Sequence, residues 1–286
     1  MTLNQPRAES TIYRVRSPTH PNAWYPHVTS IVKSRIERAT IKERIETILL
    51  SLVDYEPSEL KNLNVGFIKP KKVELEDFLT SWTSYVRKSS LNFGNLRGSN
   101  LLEHCDILII VGTYVVNVEE LPKDFEIFYH RKPWSTQSEK LTGSGYHYVG
   151  DSDLENFRKM CEDYEMYQAV HRVRPALKEK KVYVFGLVPE EIFLEFPNIK
   201  DVTFEKDNEG GMRLVEWKNF EKFVEEKIGN KGISQRDLVN AVYEEFGGNK
   251  EVIRRKIRKF VAKRDGEYII VWKEVMGKGG LHVQRR

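Results

Sequence analysis

The chain has 286 residues, enough for one large or two ordinary domains, and its 40% hydrophobic and 31% charged residues are typical of a folded globular protein. No apolar run approaches the roughly 20 residues of a membrane span, and the N-terminal segment lacks a signal-peptide core, which argues against a membrane or secreted protein. We therefore expect a cytoplasmic protein with reduced cysteines. The charge-rich, cysteine-poor composition would also suit a thermophile.

Charge is unevenly distributed along the chain. The whole sequence carries +4, but residues 250–286 contain 12 Lys and Arg against 4 Asp and Glu, a net charge of +8. The preceding 249 residues therefore carry −4. A basic end on an otherwise acidic chain predicts that this end meets a polyanion such as nucleic acid.

Predicted helices and strands alternate from about residue 30 to residue 188. Apolar spacing predicts helices at 30–52, 73–87 and 153–174, and apolar runs predict strands at 64–70, 89–95, 106–113 and 181–188. Residues 1–29 are predicted to be irregular, and 123–150 have no clear period. The run DILIIVGT (106–113) is continuously apolar, as expected for a strand buried on both faces of a sheet. This alternation predicts an α/β domain with a parallel sheet.

A different pattern follows the predicted turn NEGG at 208–211. Helices are predicted at 215–228, 234–246 and 249–263, followed by strands at 266–275 and 281–286. Ser234 is placed to cap the middle helix, with Asp237 near its N-terminus. Three helices and a β-hairpin in this order are typical of a winged helix. The predicted domains are an N-terminal extension (1–21), an α/β lobe (22–207) and a winged helix (212–286).

The helix end EMYQAVHRVRP (165–175) combines polar donors with a closing proline. A planar guanidinium can hold phosphate with two parallel hydrogen bonds. We therefore expect Gln168, Arg172 and Arg174 to point into a site that holds phosphate. The alternative is a solvated helix face on which Arg172 pairs with a nearby acid such as Glu165.

The segment GNLRGSN (94–100) is a second candidate for phosphate contact. Its glycines and Ser99 would let backbone N–H groups approach a phosphate closely. The alternative is that Gly94 and Gly98 only make turns.

The order of NFGNLRGSN (92–100), the strand in LLEHCDILIIVGTY (101–114) and EMYQAVHRVRP resembles the C-terminal RecA-like lobe of superfamily 2 helicases. The nearest resemblance is to the versions in replication proteins of archaeal viruses and plasmids. It covers roughly residues 22–190. The resemblance implies a RecA-like parallel sheet lobe, DNA as a partner, and a role in DNA replication, in the host cell of a virus or plasmid.

The resemblance assigns roles to individual residues. Those matching the fifth helicase motif, which contacts both DNA backbone and nucleotide, are Gly98, Ser99, Asn100 and Asp106. Those matching the sixth motif are Gln168, His171 and Arg172. Arg172 stands at the position of the catalytic arginine finger, which reaches the γ-phosphate of ATP bound by the other lobe. Pro175 stands where the family has a second arginine, so Arg174 departs from the pattern by one position.

Two elements of an ATPase are missing from the sequence. No G-x-x-x-x-G-K-[ST] occurs, and no acid that could hold Mg²⁺ ends the strand VYVFG (182–186). ATP and Mg²⁺ are therefore expected only when a partner lobe supplies their site, and we predict that the chain alone is inactive. It would be either a detached helicase lobe or a degenerate relative. No metal-ligand spacing is present either.

The last predicted helix has one apolar and one basic face. The apolar stripe is Val252, Ile253, Ile257, Phe260 and Val261. The basic side chains predicted to bind DNA are Lys250, Arg254, Arg255, Arg258 and Lys259, joined by Lys278, Arg285 and Arg286 on the hairpin. A helix that enters the major groove needs one packed face and one cationic face. The alternative is a solvated basic face on a protein-interaction module, or a basic tail.

Several functions remain open at this point. The favoured one is a DNA-binding replication protein derived from a helicase lobe. The others are a divergent NTPase, a structural or interaction protein, and a sequence-specific winged-helix transcription regulator whose α/β domain binds a ligand or dimerises. The aromatic stretch FYHRKPW (128–134) combines cations with stacking surface, which suits single-stranded nucleic acid or a loop that covers the sheet.

Overall fold

The computed structural model describes eleven segments of the chain: 9–16, 32–53, 62–79, 86–141, 145–206, 211–216, 220–229, 232–246, 250–263, 268–275 and 278–285. The chain divides into two compact units, Met1–Trp217 and Lys218–Arg286. Among the described residues, no helix combines the length and apolarity needed to cross a membrane.

The first unit is built on one large sheet with helices on both of its faces. Its sheet strands are β1 (Thr11–Val15), β2 (Asn64–Lys69), β3 (Arg87–Asn92), β4 (Ile107–Val111), β7 (Lys181–Phe185), β8 (Ile199–Lys206) and β9 (Met212–Glu216). Strands β5 (Ser138–Leu141) and β6 (Gly145–Tyr148) form a separate hairpin. The helices are α1 (Arg35–Ser51), a 3-10 turn (Leu75–Asp77), α2 (Leu121–Tyr129), α3 (Ser152–His171) and α4 (Glu190–Glu195).

The seven-stranded sheet has the order β3-β2-β4-β7-β1-β8-β9. Its pairings are parallel from β3 through β8, whereas β9 runs antiparallel to β8. The predicted α/β class with a parallel sheet is confirmed. All five residues of β4 are buried because the strand lies in the middle of the sheet with a layer on each face.

One face of the sheet packs against α1. Ile107, Ile109 and Val111 of β4 point to this face, and apolar side chains at helical spacing in α1 meet them. The α1 residues in this core are Ile41, Ile45, Ile48 and Leu49. Ser34 caps the helix by accepting a 3.1 Å hydrogen bond from the backbone N–H of Glu37.

The opposite face of the sheet packs against α3 and α4. Leu108 and Ile110 of β4 join a core to which α3 contributes Met166, Ala169 and Val170. The segment between β3 and β4 enters the same core through Leu96, Leu102 and Cys105. The segment carrying GNLRGSN is therefore packed against the helix that carries the arginine motif.

Several predicted elements need correction. The predicted helix at 73–87 is wrong: the described part of this range contains only the 3-10 turn, and Arg87 already begins β3. Residues 11–15, predicted to be irregular, form β1 between β7 and β8, so the predicted extension 1–21 contributes a central strand. The predicted helix at 153–174 ends at His171.

The sheet also extends further along the chain than expected. Strands β8 and β9 were not predicted, and Val215 and Glu216, expected to begin a helix, lie in β9. The predicted start of the C-terminal domain at residue 212 coincides with the start of this strand, whereas the division between the two compact units falls in the sequence between Trp217 and Lys218.

The second unit contains three helices and a small antiparallel sheet. Its elements are α5 (Phe220–Ile228), β10 (Ile233–Ser234), α6 (Gln235–Phe246), α7 (Lys250–Lys263), β11 (Tyr268–Val275) and β12 (Lys278–Arg285). The sheet has the order β10-β12-β11. Ser234 Oγ accepts from the N–H of Asp237 at 3.0 Å, so the predicted cap of α6 is present. The core joins all three helices to the sheet through Val224, Leu238, Val242, Ile257 and Val283.

Candidate functional site

The end of α3 meets the loop between β3 and β4 at Arg172. Nη1 of Arg172 donates a 3.0 Å hydrogen bond to the carbonyl oxygen of Ser99. Its Nε donates to the carbonyl oxygen of Gln168 at 3.2 Å, and its Nη2 donates to Oε1 of the same glutamine. Two segments more than 60 residues apart in sequence, each predicted to contact phosphate, are thus in direct contact.

The Arg172 guanidinium keeps hydrogen-bonding capacity for an anion. A guanidinium has five N–H donors, and the three bonds to Ser99 and Gln168 leave two of them. The acceptors are neutral, and within the described residues no carboxylate forms an ion pair with Arg172. The alternative partner, Glu165, instead accepts a 2.7 Å hydrogen bond from the N–H of Gly94. The side chain is therefore held in place, while no carboxylate of the described segments compensates its charge.

The loop also carries two backbone donors, on either side of Ser99. Gly98 has a left-handed backbone with φ of +71°, and a Cβ built there would meet no atom within 4 Å. The N–H of Ser99 bonds to Leu96 and that of Leu101 bonds to Ser99 Oγ. In the part of the chain that the structure describes, the N–H groups of Gly98 and Asn100 have no acceptor. These donors and the guanidinium are groups that hold phosphate oxygens.

His171 does not join this cluster. Its Nε2 lies 3.0 Å from Oε2 of Glu195 in α4, and the hydroxyl of Tyr167 donates to the same oxygen at 2.9 Å. The imidazole also packs on the Tyr167 ring, with centroids 4.3 Å apart. The structure therefore places His171 in the contact between α3 and α4, not beside the Ser99 loop.

Arg174 and Asp106 are engaged by other residues of the protein. Arg174 has a left-handed φ of +52°, and its Nη1 lies 3.1 Å from Oε1 of Glu103. Asp106 accepts from Asn64 Nδ2 at 3.1 Å and lies 3.7 Å from Lys180 Nζ. Both side chains hold the start of β4 to neighbouring segments. Of the two arginines in this motif, Arg172 is the one without an acidic partner among the described residues.

Residues 128–134 are not a free basic loop. Phe128 and Tyr129 belong to α2, and Arg131 pairs with Asp153 and lies 3.7 Å from Asp151. Trp134 is 83% exposed, and its backbone N–H donates a 2.7 Å hydrogen bond to Oδ2 of Asp151. Because Arg131 is compensated by acids, this stretch offers stacking surface with little net positive charge.

Sequence reasoning missed a cavity of about 530 Å³ between α2, α3 and the segment after β4. Tyr114, Phe128 and Tyr164 are among the side chains that line it. The loop residue Arg97 reaches the cavity and lies over the Tyr164 ring at 5.7 Å. The available signal was the amphipathic run LPKDFEIFY (121–129), most of which overlaps the range 123–150 that shows no clear period over its full length.

The C-terminal basic helix has the two faces that its sequence predicts. Arg254, Arg255 and Arg258 of α7 are exposed, whereas Ile253 and Ile257 are buried in the core of the second unit. Phe260 and Val261 are buried with them. The side chains of Val252, Lys259, Lys278 and Arg285, and the whole of Arg286, lie outside the described residues.

Two basic side chains of α7 have partners within the unit. Lys250 donates to Asn240 Oδ1 at 2.9 Å and lies 4.8 Å from the centre of the Tyr243 ring. Arg254 lies 2.9 Å from Glu251 in an exposed pair, a kind that contributes about 0–1 kcal/mol. A phosphate could replace such a weak partner at little cost.

Comparisons with protein-family models, curated proteins and solved structures found no match to the chain. Within the described segments, no group of three or more His, Cys, Asp or Glu side chains is arranged to hold a metal ion.

Proposed function

We propose that the protein is a DNA-binding replication protein derived from the C-terminal lobe of a superfamily 2 helicase. The observation that carries DNA binding is the division of α7 into an exposed face with Arg254, Arg255 and Arg258 and a buried face with Ile253 and Ile257. A helix packed on one side and cationic on the other can enter the major groove, where arginines contact phosphates and base edges.

In this proposal the second unit is a winged helix. Its support is the element order, with α5, α6 and α7 followed by the β11–β12 hairpin, and one core that joins the helices to β12. The hairpin would be the wing, and its basic residues Lys278, Arg285 and Arg286 would add backbone contacts.

The first unit is, in the same proposal, a RecA-like lobe. A parallel sheet covered by helices on both faces is compatible with that fold but is shared by many other functions. More specific support comes from Arg172 and Ser99, because their hydrogen bond brings the two segments that resemble helicase motifs into direct contact.

Arg172 is assigned the role of an arginine finger toward ATP held by a separate lobe. The bound nucleotide supplies a phosphoryl group whose oxygens gather negative charge during transfer. Arg172 would stabilise that charge with its two remaining N–H donors, a contribution of roughly 10³–10⁵ in rate for known arginine fingers. Its bonds to Ser99 and Gln168 fix the guanidinium in advance, so less side-chain entropy is lost when phosphate binds.

The 530 Å³ cavity favours a second candidate, a winged-helix transcription regulator whose α/β unit binds a ligand. The volume lies in the range of small-molecule sites, about 300–1,000 Å³. The two candidates differ in the DNA that they should prefer. A regulator should select one duplex sequence, whereas a helicase-derived protein should favour forks or single strands.

Fluorescence anisotropy with a random duplex, a forked duplex and a single strand of equal length tests the proposal. We expect salt-sensitive binding to all three, with forked or single-stranded DNA preferred. Selection of one duplex sequence from a random pool would move the assignment to the regulator. Absence of salt-sensitive binding to any of these DNAs would contradict both candidates.

A further inference from the structure

The cavity of the first unit lies beside the loop between β3 and β4, whose Arg97 is among its lining residues. It is bounded by α2, by the middle of α3 and by the segment that follows β4. Glu165 lines it from α3 while accepting a hydrogen bond from the loop residue Gly94. At about 530 Å³ it could enclose a small organic molecule.

The walls of the cavity are largely aromatic and apolar. Tyr114, Phe128, Phe157 and Tyr164 all contribute to the lining. Phe128 is 59% exposed, yet its ring packs 5.5 Å from that of the buried Phe157. Exposed aromatic faces at a cavity are costly in water and attract flat apolar groups and cations.

The charged groups of the cavity are mostly acidic. Glu120, Asp124 and Glu165 line it, against the single guanidinium of Arg97. Within the described residues, the side-chain carboxylates of Glu120 and Asp124 have no hydrogen-bond or ion-pair partner. An anionic ligand would be repelled here, whereas a cation would find uncompensated carboxylates next to aromatic rings.

The pKa values of two lining side chains, Cys161 and Tyr114, reflect burial and the nearby carboxylates. Burial raises the pKa of the Cys161 thiol, and the nearby carboxylates of Asp124 and Glu162 raise it further, against the opposing effect of Arg97. Burial likewise raises the pKa of Tyr114, with Glu165 adding to the effect. Burial is the main cause of both shifts, and the neighbouring carboxylates add to it in the same direction.

We propose that this cavity is a binding site for a small organic cation: a flat apolar body carrying an amidinium, guanidinium or ammonium group. The apolar body would lie between the rings of Phe128 and Tyr164, and the charged group would meet Glu120 and Asp124. This proposal does not depend on DNA binding by the second unit. For the second candidate, a transcription regulator, it specifies the chemical class of the ligand.

Three probes of nearly equal shape test the charge preference: benzamidine, benzamide and benzoate. Titration calorimetry on the full chain should give benzamidine an affinity about tenfold higher than benzamide, because charge-assisted contacts and cation–π attraction add to apolar burial. Benzoate should bind most weakly. Equal affinity for the three probes, or no binding by any of them, overturns the proposal.

The position of binding is read from Cys161. Benzamidine should slow iodoacetamide alkylation of this partly buried thiol, while fully buried Cys105 stays unreactive in the same sample. Free glutathione reports any direct effect of benzamidine on the reagent. If benzamidine binds but does not slow the alkylation of Cys161, it binds elsewhere, and the proposed site is refuted.

A matched pair of variants completes the test. Glu120→Gln with Asp124→Asn should bring benzamidine down to the affinity of benzamide while leaving benzamide binding unchanged. Glu126→Gln is the control, since this exposed carboxylate lies on the same helix but does not line the cavity. Retention of the benzamidine preference in the double variant, with an unchanged melting temperature, would refute the proposal.

Discussion

Arg172 and Ser99 are joined by a 3.0 Å hydrogen bond from the guanidinium of one to the backbone carbonyl of the other. The bond connects the C-terminal end of α3 to the loop between β3 and β4, so the two sequence motifs are in direct contact. With its two bonds to Gln168 also formed, the arginine keeps two unused donors and has no acidic partner among the described residues. Its neighbour Arg174 differs, because it pairs with Glu103.

The first prediction is that the isolated chain does not hydrolyse ATP, because the sequence lacks a P-loop. Steady-state phosphate release should stay at background over a range of ATP concentrations. Saturable release that persists in Arg172→Ala would contradict both the predicted inactivity and the role given to this arginine.

A second prediction concerns hydrolysis stimulated by a P-loop lobe. Arg172→Ala should lower the stimulated rate about 10³-fold or more, with ATP binding to the partner nearly unchanged. Arg174→Ala is the matched control and should have little effect, since its side chain is already paired with Glu103. Similar losses in both variants would mean that Arg172 has no special part in the chemistry.

Glycine substitutions should separate close packing from loop conformation. A Cβ at Gly186 would lie 2.7 Å from the carbonyl oxygen of Gly112, a backbone atom that cannot move away easily. Gly186→Ala should therefore cost about 2 kcal/mol or more of unfolding free energy. Gly98→Ala meets no atom within 4 Å but has φ of +71°, so its cost should be about 1 kcal/mol. Urea unfolding measures both values, and a larger loss for Gly98→Ala would show that the Gly112 contact is unimportant.

Acid sensitivity should depend on Asp151, the N-cap of α3. Burial alone would raise the pKa of this carboxyl, but hydrogen bonds from the backbone N–H groups of Leu154, Trp134 and Asp153 outweigh it and lower the pKa. The resulting stability is present above the unfolded pKa, about 3.9, and is lost as pH falls through the lower folded value. Asp151→Asn should therefore lose stability at pH 7 and show a flatter fall between pH 5 and about pH 2 in urea unfolding. An unchanged acid profile would exclude this carboxylate as a source of the pH dependence.

The extent of the first unit predicts where the chain can be cut. Residues 1–217 should fold alone, because β9 closes the edge of the sheet and Met212 and Leu214 pack against the core facing α1. Ending the chain at residue 211 removes these contacts and should cost about 2 kcal/mol, seen as a lower melting temperature. Equal melting temperatures for the two truncated chains would show that β9 does not contribute to the stability of the unit.

Local sequence patterns predicted the helices and strands that have at least one fully buried face. The run ILIIV of β4 and the isoleucine spacing of α1 are examples, because their apolar periods follow directly from the layers that cover them. Strand β1 was not predicted because TIYRV is short and includes the polar residues Thr11 and Arg14. Its neighbours β7 and β8 lie more than 165 residues away in the sequence. Such pairing leaves no local signal.

The candidate site was predictable in part for the same reason. Residue type pointed to Arg172 and the Ser99 loop, but which side chains remain available depends on tertiary partners. His171 contacts Glu195 in α4, a short helix that the sequence did not predict. The cavity arises where α2 packs against α3, so neither helix alone could indicate it.

The central claim, that α7 binds DNA, is tested most directly by the salt dependence of duplex binding. Each neutralised phosphate contributes about −0.9 to the slope of log K against log salt concentration. Replacing Arg254, Arg255 and Arg258 together by Ala should flatten the slope by up to about 3 units. The fold should be retained, because Ile253, Ile257 and Phe260 still pack the helix.

The matched control replaces Lys123, Lys159 and Lys181, three exposed cations of the first unit, and so removes the same total charge. Anisotropy titrations at four or more salt concentrations should show an unchanged slope for this control and a flattened one for the α7 variant. If the α7 variant bound duplex DNA with the affinity and slope of the unaltered protein, α7 would not be the DNA-binding surface.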